Sequence, residues 1–235
     1  AAAFDWSDEH QVARIAELSS LASGRVIEPM CGNARLLRSF SSAGFETIGV
    51  DSSAPLLEVA RREFSAMGLR GQWLEADVTD FSLTEPCDLA VCPINSLAHL
   101  QTAADMARHL RAVSQNLRNG GYYWVQLDLK GARRKEPPEK WEFEFDGEDL
   151  EFEWSIVECD DRFETHLYRI LRDGESIFRE RHRMKRWSYS DWIALLTRSP
   201  FEVKAAYDGD SFEQYRLDES LETRHLYWQQ LVKLP

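Results

Sequence analysis

Short apolar strands alternate with helices through the first half of the chain, and this alternation constrains the fold more than any other feature of the sequence. Neighbouring parallel strands need crossover connections, which are usually helices. The alternation therefore predicts a mostly parallel sheet that is covered by helices on both faces. We predict its five strands at residues 25–28, 47–50, 72–76, 88–91 and 122–127.

From about residue 131 the periodicity changes to that of an antiparallel sheet. Residues 131–140 are charged and include two consecutive prolines, a composition typical of a linker. Stretches of alternating polar and apolar residues, separated by Asp-Gly and Asp-Asp turns, then predict a β-meander. These stretches lie at residues 141–145, 150–157, 163–171 and 176–184.

The end of the chain returns to the pattern of the first half. A helix is predicted from Ser188, with Asp191 at the capping-box distance, and Pro200 ends it. Two closing strands, at residues 201–207 and 225–232, make the fold class α/β, a doubly wound Rossmann-like sheet of seven strands with an antiparallel β subdomain inserted after the fifth strand. We divide the chain into a core (1–135), an antiparallel lid (136–187), and the last helix and closing strands of the core (188–235).

Composition and charge argue against several classes of protein. The chain has 40 acidic and 28 basic side chains and a net charge of −12, so we expect no nucleic-acid partner, because phosphate neutralisation needs a basic surface. No apolar run approaches the ~18–20 residues of a membrane span, so we expect no membrane partner. The four cysteines lack metal-ligand or disulfide-framework spacing, which predicts no metal and a cytoplasmic location.

The most informative segment follows the first strand. Residues 26–36 run from a strand through a tight turn into a helix, at the sheet edge where doubly wound folds bind nucleotides. Asp51 ends the second strand, where a carboxylate can accept both ribose hydroxyls, although helix capping is an alternative role. Asp77 follows the third strand, where a carboxylate can accept from an adenine amino group. A polar loop, residues 92–99, ends the fourth strand on the same edge.

These segments resemble the motifs of the class I S-adenosylmethionine-dependent methyltransferases. Residues 28–35, Glu-Pro-Met-Cys-Gly-Asn-Ala-Arg, are similar to the E-x-G-x-G-x-G-R loop of that family, and residues 50–53 to its second-strand acidic motif. Residues 75–77 and 117–121 resemble its adenine-side motif and its L-x-x-G-G turn. The loop at residues 95–99 and the later meander look like the small-molecule branch, which includes glycine and amino-sugar N-methyltransferases.

The resemblance implies S-adenosyl-L-methionine as cofactor, S-adenosyl-L-homocysteine as product and a small-molecule methyl acceptor. The cofactor-binding residues that it implies are Glu28, Met30, Cys31, Gly32, Asn33, Asp51, Ser52, Asp77, Val78, Pro93 and Asn95.

Two glycines of the family loop are replaced in this chain. Met30 occupies the first glycine position and Ala34 the third. Glycine reaches positive φ without a steric penalty, so Met30 is the more serious departure, whereas Ala34 still allows close helix packing. We expect the loop to retain the cofactor, and a catalytically inactive cofactor-binding scaffold is an alternative. A nicotinamide-dependent dehydrogenase is disfavoured, because its fingerprint, aligned on Gly32, needs glycines at Met30 and Arg35.

The predicted lid has chemically different faces. Aromatic residues alternate with acidic ones on its first strand, whereas four basic residues share one face of its last strand: Arg179, Arg181, Arg183 and Lys185. In the interpretation that we favour, the acidic face pairs with this basic strand and the aromatic face closes the substrate chamber. In the other interpretation, the carboxylates attract a cationic amine.

N-methylation is slightly favoured over O-methylation, which is the alternative. An attacking amine needs a free lone pair, so a nearby histidine has to take its proton. We predict His99 and His182 as catalytic residues, and a satisfied core histidine is the alternative role for His99. Trp154, Arg183 and Tyr189 are the predicted substrate-binding residues, and a homo-oligomer is compatible with the sequence.

Overall fold

An eight-stranded sheet flanked by helices forms the centre of the protein. The computed structural model describes residue 3 and residues 8–129, 137–225 and 227–235. Its helices are α1 (Glu9–Leu18), α2 (Arg35–Ser42), α3 (Ala54–Ala66), α4 (Ala103–Gln115) and α5 (Tyr189–Leu196). The strands of the central sheet are β1 (Arg25–Pro29), β2 (Glu46–Asp51), β3 (Gln72–Glu75), β4 (Cys87–Cys92), β5 (Leu117–Gln126), β10 (Phe201–Tyr207), β11 (Gln214–Tyr215) and β12 (Trp228–Lys233). A separate antiparallel sheet contains β6 (Glu139–Phe145), β7 (Glu148–Cys159), β8 (Phe163–Arg172) and β9 (Glu175–Lys185).

The strand order of the central sheet is β11-β10-β12-β5-β4-β1-β2-β3. The first five strands pair in parallel, and the last three pair antiparallel with their neighbours. This arrangement confirms the doubly wound α/β prediction. The chain reverses its direction of progress across the sheet between β1 and β4, and ligands of such sheets bind at this switch point.

Three details of the central sheet differ from the sequence prediction. β11 adds an eighth strand, which was missed because its two residues carry no hydrophobic period. β5 begins at Leu117, so the predicted Asn-Gly-Gly turn lies inside the strand, where the pairing with β4 is irregular. The last strand begins at Trp228, which leaves His225 outside the sheet. The Ser188 cap is confirmed, since its hydroxyl accepts the Asp191 N–H at 3.0 Å.

The core has two parts because successive residues of a buried strand face opposite sides of the sheet. Ile27, Ala90 and Tyr123 pack on the side of α4, whereas Val26, Leu89 and Trp124 pack on the side of α1 and α2. This two-sided burial explains why these strands are continuous apolar runs in the sequence. No helix among the described residues is long and apolar enough to cross a lipid bilayer.

The antiparallel sheet β6–β9 has the predicted meander topology. Asp146 and Asp173 take left-handed conformations immediately before glycines, as tight Asp-Gly hairpins require. Its order is β6-β7-β8-β9. Residues 131–136 of the predicted linker lie outside the described residues.

Charge pairing within this second sheet differs from the prediction. β8 separates β9 from β7, and the β7 carboxylate of Glu153 binds Arg169 of β8 and lies 3.4 Å from Lys140 of β6. Among the described residues, Arg181 is the one cation of β9 that pairs with a β7 carboxylate, at 3.9 Å from Glu158. Glu158 is not a residue of the predicted acidic face, so the predicted pairing of that face with the basic strand is wrong. Hydrogen-bonded neighbours, not charge blocks in the sequence, decide which side chains meet.

His109 of α4 is fully buried between the sheet and the loop that follows β3. Its Nδ1 lies 2.9 Å from the Val78 carbonyl oxygen, and its Nε2 lies 2.8 Å from the Tyr123 hydroxyl. A carbonyl only accepts, so Nδ1 carries the proton and Nε2 accepts from the tyrosine. Burial lowers the pKa of His109 from 6.5 to about 4, so the ring is neutral at pH 7.

This neutral histidine makes the stability of the protein depend on pH. Between pH 6.5 and about 4 the unfolded chain binds a proton at His109 that the folded chain does not, so stability falls as pH falls. The loss attributable to His109 is about 3 kcal/mol across that window. Urea unfolding at several pH values should show a shallower acid decline for His109→Asn. An equally steep decline in the variant would contradict the assignment.

Candidate active site

The loops after β1, β2 and β3 meet at the carboxyl edge of the sheet around Asp51. One oxygen of this carboxylate accepts the Gly32 N–H at 2.8 Å, and the other accepts the Ser53 N–H at 2.9 Å. The Asp51 backbone carbonyl accepts the Ala76 N–H at 3.1 Å. A carboxylate has about four lone-pair sites, so two backbone donors leave room for two hydroxyl donors.

The β1–α2 loop keeps a glycine-like backbone with a single glycine. Met30, Gly32 and Ala34 all have positive φ, at 60°, 53° and 57°. The left-handed region costs a non-glycine residue roughly 1–2 kcal/mol, so tertiary contacts must hold the loop in this shape. The expectation that the Met30 position requires positive φ is confirmed. The alanine position requires it as well.

Glu28 lies at the base of this loop and is 3% exposed. One of its carboxylate oxygens, Oε2, has no hydrogen-bond partner. Burial raises its pKa well above the usual value, although the Arg35 guanidinium opposes the shift. A buried acceptor without a donor fits a cationic ligand group that would pair with it. The neighbouring Cys31 thiol is also buried, and burial raises its pKa, so it is unreactive.

In the loop that follows β3, Asp77 is exposed and Val78 is buried. The Asp77 carboxylate accepts the Thr79 N–H at 2.8 Å, and this hydrogen bond lowers the pKa of Asp77. One carboxylate oxygen is thereby fixed by the loop itself, so the orientation of the ionised group is set before any ligand binds.

The loop after β4 is tied to the end of β5. Ile94 and Asn95 have positive φ, at 48° and 58°, which is a strained conformation for a β-branched residue. The Ile94 N–H donates to Gln126 at 2.8 Å, and the Asn95 side-chain oxygen accepts the Asp128 N–H at 3.1 Å. The sequence prediction missed Gln126 and Asp128, although their position at the end of the fifth strand was a usable signal.

The structure brings the two predicted catalytic histidines together. His99 ends a 3₁₀ turn (Ser96–His99), and its ring centroid lies 5.3 Å from that of His182 on β9. The His182 Nε2 lies 3.1 Å from the Glu180 carboxylate. Partial removal from water lowers the pKa of His99, and His182 and His166 lower it further, against the opposing effect of Asp51 and Glu180. His99 is therefore a neutral base near pH 7.

A buried histidine that the sequence prediction missed organises the neighbouring part of the second sheet. His166 lies opposite His182, and its Nε2 is 2.7 Å from the Glu164 carboxylate. Its Nδ1 is 3.1 Å from the Trp154 indole nitrogen, which can only donate. The Trp154 N–H is therefore engaged within the sheet, and its ring is the part left for a ligand. A register counted back from the Asp173-Gly174 turn would have placed His166 opposite Arg181, because a bulge between Ile170 and Leu171 shifts the pairing by one residue.

Two of the predicted substrate-binding residues, Arg183 and Tyr189, are directed away from the histidine pair. Arg183 follows His182 along β9 and so points to the opposite face, where its guanidinium lies 3.7 Å from the Phe163 ring centroid. The Tyr189 hydroxyl donates to the Leu217 carbonyl at 2.9 Å, so this hydroxyl is engaged in a contact between helix α5 and Leu217. The structure does not support these two predictions, because strand alternation and a local hydrogen bond direct the side chains away from the histidine pair.

Part of this chain, which includes the loops at this edge of the sheet, matches a known protein family. Residues 26–121 match the family described as a methyltransferase domain. This part of the chain is similar to a methyltransferase domain. A solved S-adenosylmethionine-dependent methyltransferase from Clostridium acetobutylicum superimposes with a TM-score of 0.75 at 19% identity, covering 96% of this chain and 90% of that one.

Two further relatives of this methyltransferase domain have more specific names. An S-adenosylmethionine-bound amino pentose methyltransferase from Micromonospora echinaspora gives a TM-score of 0.73 at 15% identity, covering 97% of this chain and 92% of that one. A dTDP-4-amino-2,3,4,6-tetradeoxy-D-glucose N,N-dimethyltransferase from Saccharopolyspora spinosa is 25% identical over 118 residues, which are 50% of this chain. The match spans 46% of that relative, about half of its length.

Removal of the Asp51 carboxylate should loosen the loop and weaken cofactor binding together. We expect Asp51→Ala to weaken S-adenosyl-L-methionine binding by about 1–3 kcal/mol, through lost charge-assisted hydrogen bonds. Isothermal titration measures the affinity, and Asp208→Ala, on the distant β10–β11 hairpin, is the matched control. Unchanged affinity in Asp51→Ala would refute the assignment of Asp51 to the cofactor.

Proposed function

We propose that this protein transfers the methyl group of S-adenosyl-L-methionine to the nitrogen of a small-molecule amine. The observation that carries the proposal is the contact between His99, whose pKa is lowered, and His182 of the second sheet. Two relatives whose names specify amino-sugar acceptors support an amine of that size.

The residues of the sheet edge suit the parts of this cofactor. Glu28 would accept from the methionyl ammonium, which supplies the donor that its buried oxygen lacks. Asp51 would accept the ribose hydroxyls, and Asp77 the adenine amino group. When bound, the cofactor supplies a methyl group already activated by a sulfonium. The protein then has to orient the acceptor and exclude water.

His99 would handle the proton of the acceptor. Methyl transfer forms a carbon–nitrogen bond and breaks the sulfur–carbon bond, and the nitrogen then loses one proton. His99 is neutral near pH 7 because of its lowered pKa, so it can take that proton. The Glu180 carboxylate, which lies beside His182, favours the cationic form of His99 that results.

The sheet β6–β9 would act as the lid over the acceptor. One face of this sheet presents the rings of Trp154, Tyr168 and His182. His166 contacts both Trp154 and Tyr168, and Tyr168 contacts His182 edge-on. Aromatic rings cover a small ring-shaped acceptor with little loss of side-chain entropy and keep water out. The buried hydrogen bonds of His166 hold this wall in a fixed orientation.

A screen of amines and alcohols for S-adenosyl-L-homocysteine production tests the proposed reaction. We expect turnover with small amines, including amino sugars, because a neutral base adjoins the cofactor edge. Turnover confined to hydroxyl compounds would replace the proposal by O-methylation. Cofactor binding with no turnover on any acceptor would favour the inactive scaffold.

Replacement of His99 should change the pH profile as well as the rate. We expect His99→Asn to lower kcat/KM on an amine by about 100-fold and to remove the acidic limb of the profile. His10→Gln, on α1, is the matched control and should keep the wild-type profile. Loss of rate with an unchanged acidic limb would assign the base to another group.

Cofactor binding should release a proton from Glu28. Because burial raises its pKa in the free protein, pairing with an ammonium lowers that pKa and expels the proton. Isothermal titration in buffers of different ionisation enthalpy should show this release, larger at mildly acidic than at alkaline pH. The release should vanish in Glu28→Gln, which should also bind the cofactor more weakly. Identical proton release in both proteins would disprove the pairing.

A further inference from the structure

The loop that presents Asp77 is anchored from behind by helix α4. His109 of α4 donates from Nδ1 to the Val78 carbonyl at 2.9 Å, one residue from Asp77. At the far end of the loop, Asn116 donates to the Phe81 carbonyl at 3.1 Å and accepts the Leu83 N–H at 2.6 Å. A side chain in the middle of α4 and one from the residue that caps its C-terminus thus fix both ends of one loop.

The hydrogen bonds of His109 have a defined direction. Nδ1 donates to Val78, so the neutral ring must accept at Nε2, where the Tyr123 hydroxyl donates at 2.8 Å. Tyr123 is in turn within hydrogen-bonding reach of the Cys92 thiol, at the end of β4. The chain of groups therefore joins the loop after β3 to the strand that leads into the 95–99 loop.

The position of His109 suits a role in ligand recognition. It is completely buried in the core, so it touches no ligand itself. A buried imidazole needs two partners to offset its desolvation, so it constrains the groups to which it is hydrogen-bonded. Here both partners are present, and one of them is the backbone beside the exposed Asp77 carboxylate.

We infer that His109 is a positioning residue for adenine recognition, which holds Val78 so that the Asp77 carboxylate meets the adenine amino group. This inference rests on the proposed placement of the adenine at Asp77. It assigns a function to a side chain that lies behind the site, and it predicts that loss of the His109 donor reduces the preference for adenine over other purines.

The test compares two ligands that differ at one group. S-adenosylhomocysteine carries the 6-amino group, and S-inosylhomocysteine has a carbonyl in its place. In the wild-type protein we expect a preference of about tenfold or more for the amino compound, the effect of one hydrogen bond to a charged group. His109→Phe should weaken S-adenosylhomocysteine binding about fivefold or more and leave S-inosylhomocysteine within about twofold.

Conservative variants separate the hydrogen bond from the packing. His109→Asn places an amide N–H near the Nδ1 position and should restore the preference, whereas His109→Gln reaches the Nε2 position and should not. This pair keeps the test valid if His109→Phe does not fold. Equal preferences in the Asn and Gln variants, or a wild-type preference in His109→Phe, would overturn the inference.

Two further variants distinguish the failure of this inference from the failure of the proposed site. Asn116→Ala releases the far end of the same loop and should lower the melting temperature without changing the ligand preference. Asp77→Ala should abolish the preference. If it does not, the adenine lies elsewhere, and both the proposed site and the role of His109 are wrong. If Asp77→Ala abolishes the preference and His109→Phe retains it, the positioning role alone is wrong.

Discussion

The carboxylate of Asp51 is the interaction on which the rest of the binding edge depends. It accepts backbone donors from the β1–α2 loop and from the start of α3, and its own carbonyl binds the start of the β3 loop. Three loops are therefore positioned relative to one residue. A buried charged acceptor satisfied by backbone N–H groups resists displacement, because each lost bond would leave a charge without compensation.

Strain in the neighbouring loops follows from that constraint. Met30, Ala34 and Ile94 occupy a backbone region that favours glycine, and all three lie at the carboxyl edge of the sheet. The hydrogen bonds of Gly32 and Ile94 hold these loops in place against the cost of their conformation. The loop is thus defined by its backbone conformation. Residues other than glycine can adopt that conformation when surrounding contacts offset the strain.

Local patterns predicted the parts of the site that each strand carries by itself. Glu28, Asp51 and Asp77 were predicted to lie at one edge because each ends or follows a strand of a parallel sheet, where all such ends share one edge. Arg183 and Tyr189 were misplaced because their orientation depends on strand alternation and on a hydrogen bond to a distant loop. His166 and His109 were missed because burial with two hydrogen-bond partners has no signature in a single segment.

The sequence by itself determined the fold class, the edge shared by the strand-end carboxylates and the meander, since hydrophobic period, turn residues and strand-end carboxylates are local features. Only the tertiary structure decided which groups meet across the two sheets. His99 comes from a turn of the core and His182 from a strand of the antiparallel sheet. Their contact depends on the register of β8 with β9 and on how that sheet packs against the core. Such contacts are long-range, so packing fixes them and local propensity does not.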